Sequence, residues 1–93
     1  MEDQKNKVVT VTVLGVTAEA SVDALDDYDL FEVIMEHGAS SAASVIAVGK
    51  ALFGENGWKD VTDALRDENG KLKLSRVSEF VNTASEQIDA LKN

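Results

Sequence analysis

Apolar and polar residues alternate regularly near the N-terminal end of the chain. Over residues 7–22, valine and alanine alternate with threonine, serine and glutamate, and Gly15 lies between two alternating runs. A period of two with many β-branched side chains predicts two strands joined by a tight turn, a β-hairpin over about residues 7–22. Turns at Leu14-Gly15 and at Gly15-Val16 both place the apolar residues on one face, so the register stays open. Because an isolated hairpin is marginal in water, this face must be covered.

The remainder of the chain has the three- and four-residue spacing of apolar positions that predicts helices. The predicted helices cover about residues 26–37, 40–53, 57–67 and 75–91. A break at Gly54 to Gly57 separates the second helix from the third, and Asn69-Gly70 predicts a turn before the last. The predicted fold class is α+β, mostly α, with an N-terminal β-hairpin followed by three to four short helices. At this length we expect them to pack as one small domain over residues 1–93.

The ends of the predicted helices carry residues that can cap them. Short side chains with an oxygen accept hydrogen bonds from the free N–H groups at a helix start. The candidates are Asp26 or Asp27, Ser40 or Ser41, and Ser75. Apolar residues between Tyr28 and Met35 form more than one stripe, which predicts that the first helix is buried on two sides. His37, before Gly38, fits a cap of the last carbonyl groups better than a general base.

The acidic residues are unevenly distributed. The net charge is −8, from 17 acids against 9 lysines and arginines. Residues 8–49 contain no lysine or arginine but seven acids, namely Glu19, Asp23, Asp26, Asp27, Asp29, Glu32 and Glu36. Nucleic acids and anionic membranes need clustered basic residues, so neither is expected as a partner. A solvated acidic helix face is the favoured interpretation, and imitation of DNA phosphates stays open. A calcium loop is disfavoured because Phe31 takes a ligand position and no glycine follows.

Few side chains are suited to catalysis or metal binding. The chain has no cysteine and a single histidine, which excludes disulfides, thiolate zinc sites, cysteine nucleophiles and multi-histidine metal sites. No serine lies in a G-x-S-x-G context, and no glycine run has the pattern of a phosphate loop. Residues 67–72 resemble the middle of an EF-hand, but Leu65 and Arg76 would take the first and last ligand positions. We therefore predict no enzyme, no catalytic residue, no cofactor and no metal site.

The second predicted helix is almost uncharged and rich in small residues. Small side chains over residues 40–49 allow a close approach of backbones, either within the domain, which is favoured, or against a helix of a partner. Trp58 is the single tryptophan and fits a core anchor more often than a binding hot spot. If this region binds a partner, we expect the contact to come from Val45, Ile46, Val48, Leu52 and Trp58.

Several weak motifs follow one another in order along nearly the whole chain. The first is the hairpin around Val8–Val22 with glycine at its tip, followed by the acidic helix start Leu25-Asp-Asp-Tyr28-Asp-Leu-Phe31-Glu. Next come an apolar helix that ends Ala51-Leu-Phe53-Gly54 and the segment Trp58-Lys-Asp-Val-Thr-Asp-Ala-Leu65-Arg-Asp-Glu-Asn-Gly70. A regular last helix ends Leu91-Lys92-Asn93. This layout resembles the small tail assembly chaperones of long-tailed, siphovirus-type bacteriophages or prophages.

The resemblance implies a non-enzymatic protein that binds the tape measure protein, keeps it soluble and helps recruit tail tube subunits. It implies action in the cytoplasm of the bacterial host and absence from the mature virion. Neither a signal peptide nor an apolar run long enough to span a membrane is seen in the sequence. Many family members also have a longer form made by ribosomal frameshifting, and codons for Leu91-Lys92-Asn93 can form the slippery heptamer A-AAA-AAC. The alternative function is an acidic DNA mimic that inhibits a host DNA-binding enzyme; homo-oligomers are compatible with both.

Overall fold

The computed structural model describes residues 8–92, with side chains up to residue 90. The elements in chain order are β1 (Val8–Val13), β2 (Val16–Ser21), a short 3-10 helix (Val22–Leu25), α1 (Tyr28–His37), α2 (Ala42–Leu65) and α3 (Leu74–Lys92). The predicted fold class, α+β and mostly α with an N-terminal hairpin, is confirmed. Lys7, the first residue of the predicted hairpin, and the side chain of Leu91 lie outside this description.

The hairpin uses the turn at Leu14-Gly15. The strands pair antiparallel with Val13 opposite Val16, and the pairing continues to Val8 opposite Ser21. Leu14 and Gly15 have φ angles of 53° and 78°. Two successive positive φ values are the mark of a type I′ turn, whose twist matches that of the strands. This settles the register that the alternation left open.

The apolar face of the hairpin is covered by two helices. β2 packs against α2 and β1 packs against α3, while α2 and α3 also contact each other. The largest fully buried side chains in this core are Phe80, Leu52, Leu65, Ile88, Val11, Val61 and Val81. Val77, Phe80, Val81, Ala84 and Ile88 of α3 are all buried and follow the three- and four-residue spacing that predicted this helix. The sheet and the two longest helices therefore share one core.

Two of the predicted caps are present and one is wrong. The Asp27 carboxylate accepts a hydrogen bond from the Asp29 N–H at 2.9 Å, and α1 starts next to it. The Ser41 hydroxyl accepts from the Ser44 N–H at 3.1 Å at the start of α2. Ser75 does not cap α3, because the helix already begins at Leu74. The Lys73 carbonyl accepts the first hydrogen bonds of the helix, from the Arg76 N–H at 3.1 Å and the Val77 N–H at 3.2 Å.

The second and third predicted helices form one bent element, α2. Gly54 alone departs from helical geometry, with φ 76° and ψ 168°. The predicted break over Gly54 to Gly57 is thus shorter than expected, because a single glycine absorbs the change of direction and Gly57 is already helical. Past the bend, Trp58 stacks on Phe53 with ring centroids 6.4 Å apart and planes 12° apart. The helix ends at Leu65, whose carbonyl accepts a hydrogen bond from Arg76 Nε at 3.2 Å.

The bend at Gly54 predicts a strong effect of a small substitution. The φ and ψ of Gly54 lie in a region that is essentially restricted to glycine, where other residues are strained by about 1–3 kcal/mol. No atom lies within 4 Å of a Cβ placed there, so the strain is purely conformational. We expect Gly54→Ala to lower the free energy of unfolding by about 1–3 kcal/mol in urea titrations. Glu55→Ala, at the exposed next position, should change it by less than about 0.5 kcal/mol. A Gly54→Ala protein as stable as the parent would contradict the bend.

A second prediction concerns the contact between Gly49 and Trp58. A Cβ atom at Gly49 would overlap the six-membered ring of Trp58. Gly49→Ala normally favours a helix by about 1 kcal/mol, but this overlap should destabilise the protein by about 1–3 kcal/mol. Trp58 is the only tryptophan, so its fluorescence should also report the displaced ring.

Lys50→Ala, at the exposed neighbouring position, is the matched control and should leave both the unfolding transition and the emission unchanged. If Gly49→Ala raises the stability instead, then the ring does not lie against this backbone.

Candidate partner-binding surface

The helix α1 is buried on one side only. Leu30 is buried, and Val33 and Ile34 are half-buried. On the other side Phe31 and Met35 are 54% and 66% exposed. The prediction that α1 is buried on two sides is wrong. α2 packs against one side of α1, whereas the hairpin and α3 pack against each other and against α2. Among the described residues no further element covers the second side.

The exposed apolar side chains of α1 form a continuous row. Tyr28, Phe31 and Met35 follow one another at the three- and four-residue spacing that makes neighbours on a helix surface. Tyr28 is 71% exposed, and its ring centroid lies 6.4 Å from that of Phe31. Single exposed apolar residues are ordinary, but a contiguous group of this kind marks an interaction surface. We call these three residues the α1 apolar row.

An acidic row runs beside the α1 apolar row. Glu32 lies one turn from both Tyr28 and Met35, and Asp29 and Glu36 lie one turn from Glu32. These acids, the α1 acidic row, are exposed and are on the side of the apolar row away from Leu30. Among the side chains that the structure describes, Asp63 pairs with Lys59 and with Arg66, and no ion pair there includes the α1 acidic row. The helix therefore presents apolar area next to unneutralised negative charge.

The five residues predicted to contact a partner are mostly in the core. Val45, Leu52 and Trp58 are buried, with exposed fractions of 3%, 2% and 9%. Val48 is half-buried and packs against the core. Ile46 is the one with a substantial exposed fraction, 39%. Four of the five side chains thus serve packing within the domain in this conformation, and a partner-binding role for the set stays a prediction.

Ile46 belongs to a shallow apolar groove that we call the Trp58 groove. Its volume is about 290 Å³, and it is lined by Ile46, Trp58, Thr62, Leu72, Leu74 and Val77. Leu74 is 55% exposed at its rim. The sequence did not indicate Leu72 and Leu74 as site residues, because Leu72 lies in the irregular segment before α3, Leu74 is the first residue of α3, and neither has helical spacing to the other groove residues. The turn at Asn69-Gly70, confirmed by a φ of 80° at Gly70, brings this segment back onto α2.

A larger depression of about 790 Å³ follows the outer edge of the hairpin. It lies between β2 and the middle of α2 and combines small apolar residues such as Ala51 and Ala64 with the acids Glu19 and Asp60. β2 pairs with β1 on one side only, since the sheet has two strands among the described residues. Of its large apolar lining residues, Leu52, Phe53 and Val61 are buried and Val16 is half-buried, which leaves Val8 as the exposed one. The depression is therefore a weaker candidate than the α1 apolar row.

The described residues offer little for metal binding. No group of three or more histidine, cysteine, aspartate or glutamate side chains is placed to hold a metal ion in residues 8–90. The Asp67 carboxylate, at the segment that resembles an EF-hand, accepts hydrogen bonds from the N–H groups of Asn69 and Lys71 at 2.8 and 2.9 Å. It thereby stabilises the turn. Ser44, a buried polar residue, is paired with Ser41.

Comparison with known proteins leaves these surfaces without an assigned role. No helix within the described part of the chain is long and apolar enough to cross a membrane. A scan against models of protein families finds no match for this chain. A search of solved structures finds no match either.

Proposed function

We propose that this protein is a non-enzymatic tail assembly chaperone of a long-tailed bacteriophage or prophage. In this role it binds the tape measure protein, keeps it soluble in the cytoplasm of the bacterial host, and helps recruit tail tube subunits. It is released before the virion is complete. The proposal starts from the resemblance described above, and the geometry of α1 supplies the surface that such a role requires.

The α1 apolar row is the observation that carries the proposal. A tape measure protein is a long helical chain with apolar faces that aggregate when uncovered. A chaperone for such a client needs exposed apolar side chains on a firm support, and Tyr28, Phe31 and Met35 supply them from a capped helix packed on α2. The charge of −8 gives neighbouring complexes a like charge, which keeps them apart.

The same surface disfavours the alternative, an acidic DNA mimic. Such a mimic presents carboxylates to a basic DNA-binding cleft in place of phosphates. Here the acids of α1 share one exposed surface with Tyr28, Phe31 and Met35, whose apolar area would be placed against the charged cleft. Burying apolar residues against unpaired charges is unfavourable, so a partly apolar client fits this surface better.

Co-expression tests the proposed function directly. The chain is produced with the tape measure protein encoded in the same phage genome, and the soluble and insoluble fractions are compared with those from the tape measure protein alone. We expect the tape measure protein to move into the soluble fraction and to co-purify with this chain. Insolubility of the tape measure protein together with a lack of co-purification would contradict the proposal.

Substitutions in the α1 apolar row test whether that surface is used. We expect Phe31→Ser with Met35→Ser to abolish most co-purification and to change the free energy of unfolding by less than about 1 kcal/mol, because both side chains are more than half exposed. Ile46→Ser with Leu74→Ser, in the Trp58 groove, is the matched control and should retain co-purification. Circular dichroism and urea unfolding verify that both variants fold. Loss of binding in the groove variant alone would place the client in the Trp58 groove instead.

A further inference from the structure

We infer that the α1 apolar row binds a basic amphipathic helix, one whose apolar stripe is flanked by lysine or arginine. The identity of that helix as a segment of the tape measure protein rests on the proposed function. The inference about its chemistry rests on α1 itself and can be tested without any phage protein.

The shape of the row selects a helix as the occupant. Tyr28, Phe31 and Met35 lie along about 10 Å of the axis of α1, which corresponds to two turns. The backbone of α1 is hydrogen-bonded within the helix, from the Asp27 cap to the Gly38 N–H that donates to the Ile34 carbonyl. It offers no free edge to a strand, so binding must use side chains. A stripe of side chains packs best into the matching stripe of a second helix.

The charge beside the row selects a basic occupant. Asp29, Glu32 and Glu36 run along one side of the apolar row and have no ion pair with the described residues. Residues 8–49 contain no lysine or arginine that could neutralise them. A helix docked on the row would bring one flank of its own stripe next to these carboxylates. Lysine or arginine on that flank gains attraction and speeds association, whereas glutamate is repelled.

The same charge argues against a second copy of this chain. In a two-fold dimer the same surface faces itself, so the acidic rows of both copies would lie around one apolar contact. α1 has no basic residue except the single His37 in its last turn, so no opposite charge balances them. A separate basic helix is the occupant that satisfies both the apolar and the acidic row.

The experiment uses two synthetic helical peptides of 18 residues with the same leucine stripe, one flanked by lysines and one by glutamates. Binding of each labelled peptide to the full chain is measured by fluorescence anisotropy at low and at high salt. We expect the lysine peptide to bind at least about tenfold more tightly than the glutamate peptide, and its affinity to fall several-fold when salt is raised to 0.5 M. Equal binding of both peptides would overturn the inference.

Matched variants locate the effect. We expect Phe31→Ser with Met35→Ser to weaken binding of the lysine peptide at least about tenfold. Glu32→Gln with Glu36→Gln should weaken it at least about threefold and reduce its salt dependence, while Glu79→Gln with Glu86→Gln, exposed acids of α3, should have less than about a twofold effect. Equal effects of both acid pairs would overturn the inference, since binding would then follow net charge alone. So would a dimer in analytical ultracentrifugation that Phe31→Ser with Met35→Ser dissociates.

The peptide assay tests the inference and the co-expression assay tests the proposed function, so either one can fail while the other succeeds. A lysine peptide that binds α1, with a tape measure protein that neither co-purifies nor becomes soluble, supports the inference and contradicts the proposed function. A tape measure protein that co-purifies equally with the parent and with Glu32→Gln, Glu36→Gln, while neither peptide binds, overturns the inference and leaves the proposed function standing.

Discussion

Trp58 packs against Gly49 across the bend in α2, and this contact joins the two halves of the helix that contacts β2, α1 and α3. Nine residues of a straight helix span about 13.5 Å, too far for these two to meet, so the contact requires the change of direction at Gly54. The absence of a side chain at Gly49 lets the ring reach the backbone, and Phe53 stacks on the ring at the bend. Gly54 allows the change of direction, and Gly49 leaves space for the Trp58 ring.

The bent helix determines which surfaces are covered. Because α2 contacts β2, α1 and α3, it links the three other parts of the core. β1 takes its cover from α3, so the apolar face of the hairpin is closed by two helices. α1 is covered on one side only, where Leu30 is buried and Val33 and Ile34 are half-buried. The exposed α1 apolar row is therefore a consequence of how a small number of elements is distributed, and its aromatic and sulfur-containing side chains make it suitable for a helical partner.

In the proposed role, charge gives the α1 apolar row its selectivity. Apolar rows alone attract one another, and a chaperone with such a row risks binding its own copies. On α1 the acids Asp29, Glu32 and Glu36 lie next to the row and have no ion pair with the described residues. Under the inference above, this charge opposes self-association and favours a basic client. Three of the seven acids in residues 8–49 thus lie together on one exposed face of α1.

The hairpin, the apolar spacing of α3 and the turn at Gly70 could be predicted from the sequence, because period and turn residues are local properties. Cap chemistry is local too, and it narrowed the caps to Asp26 or Asp27 and to Ser40 or Ser41. The sequence also determined where the acids are concentrated. The structure was needed to choose among these caps and to establish the hairpin register, the single-residue bend at Gly54 and the set of apolar residues that are exposed to solvent. Val45, Leu52 and Trp58, the contacts expected if this region binds a partner, are buried, whereas Phe31 and Met35, on a helix expected to be buried on two sides, are exposed. Apolar character is the same in both sets, and the difference comes from which element lies opposite, which depends on contacts between residues distant in the chain.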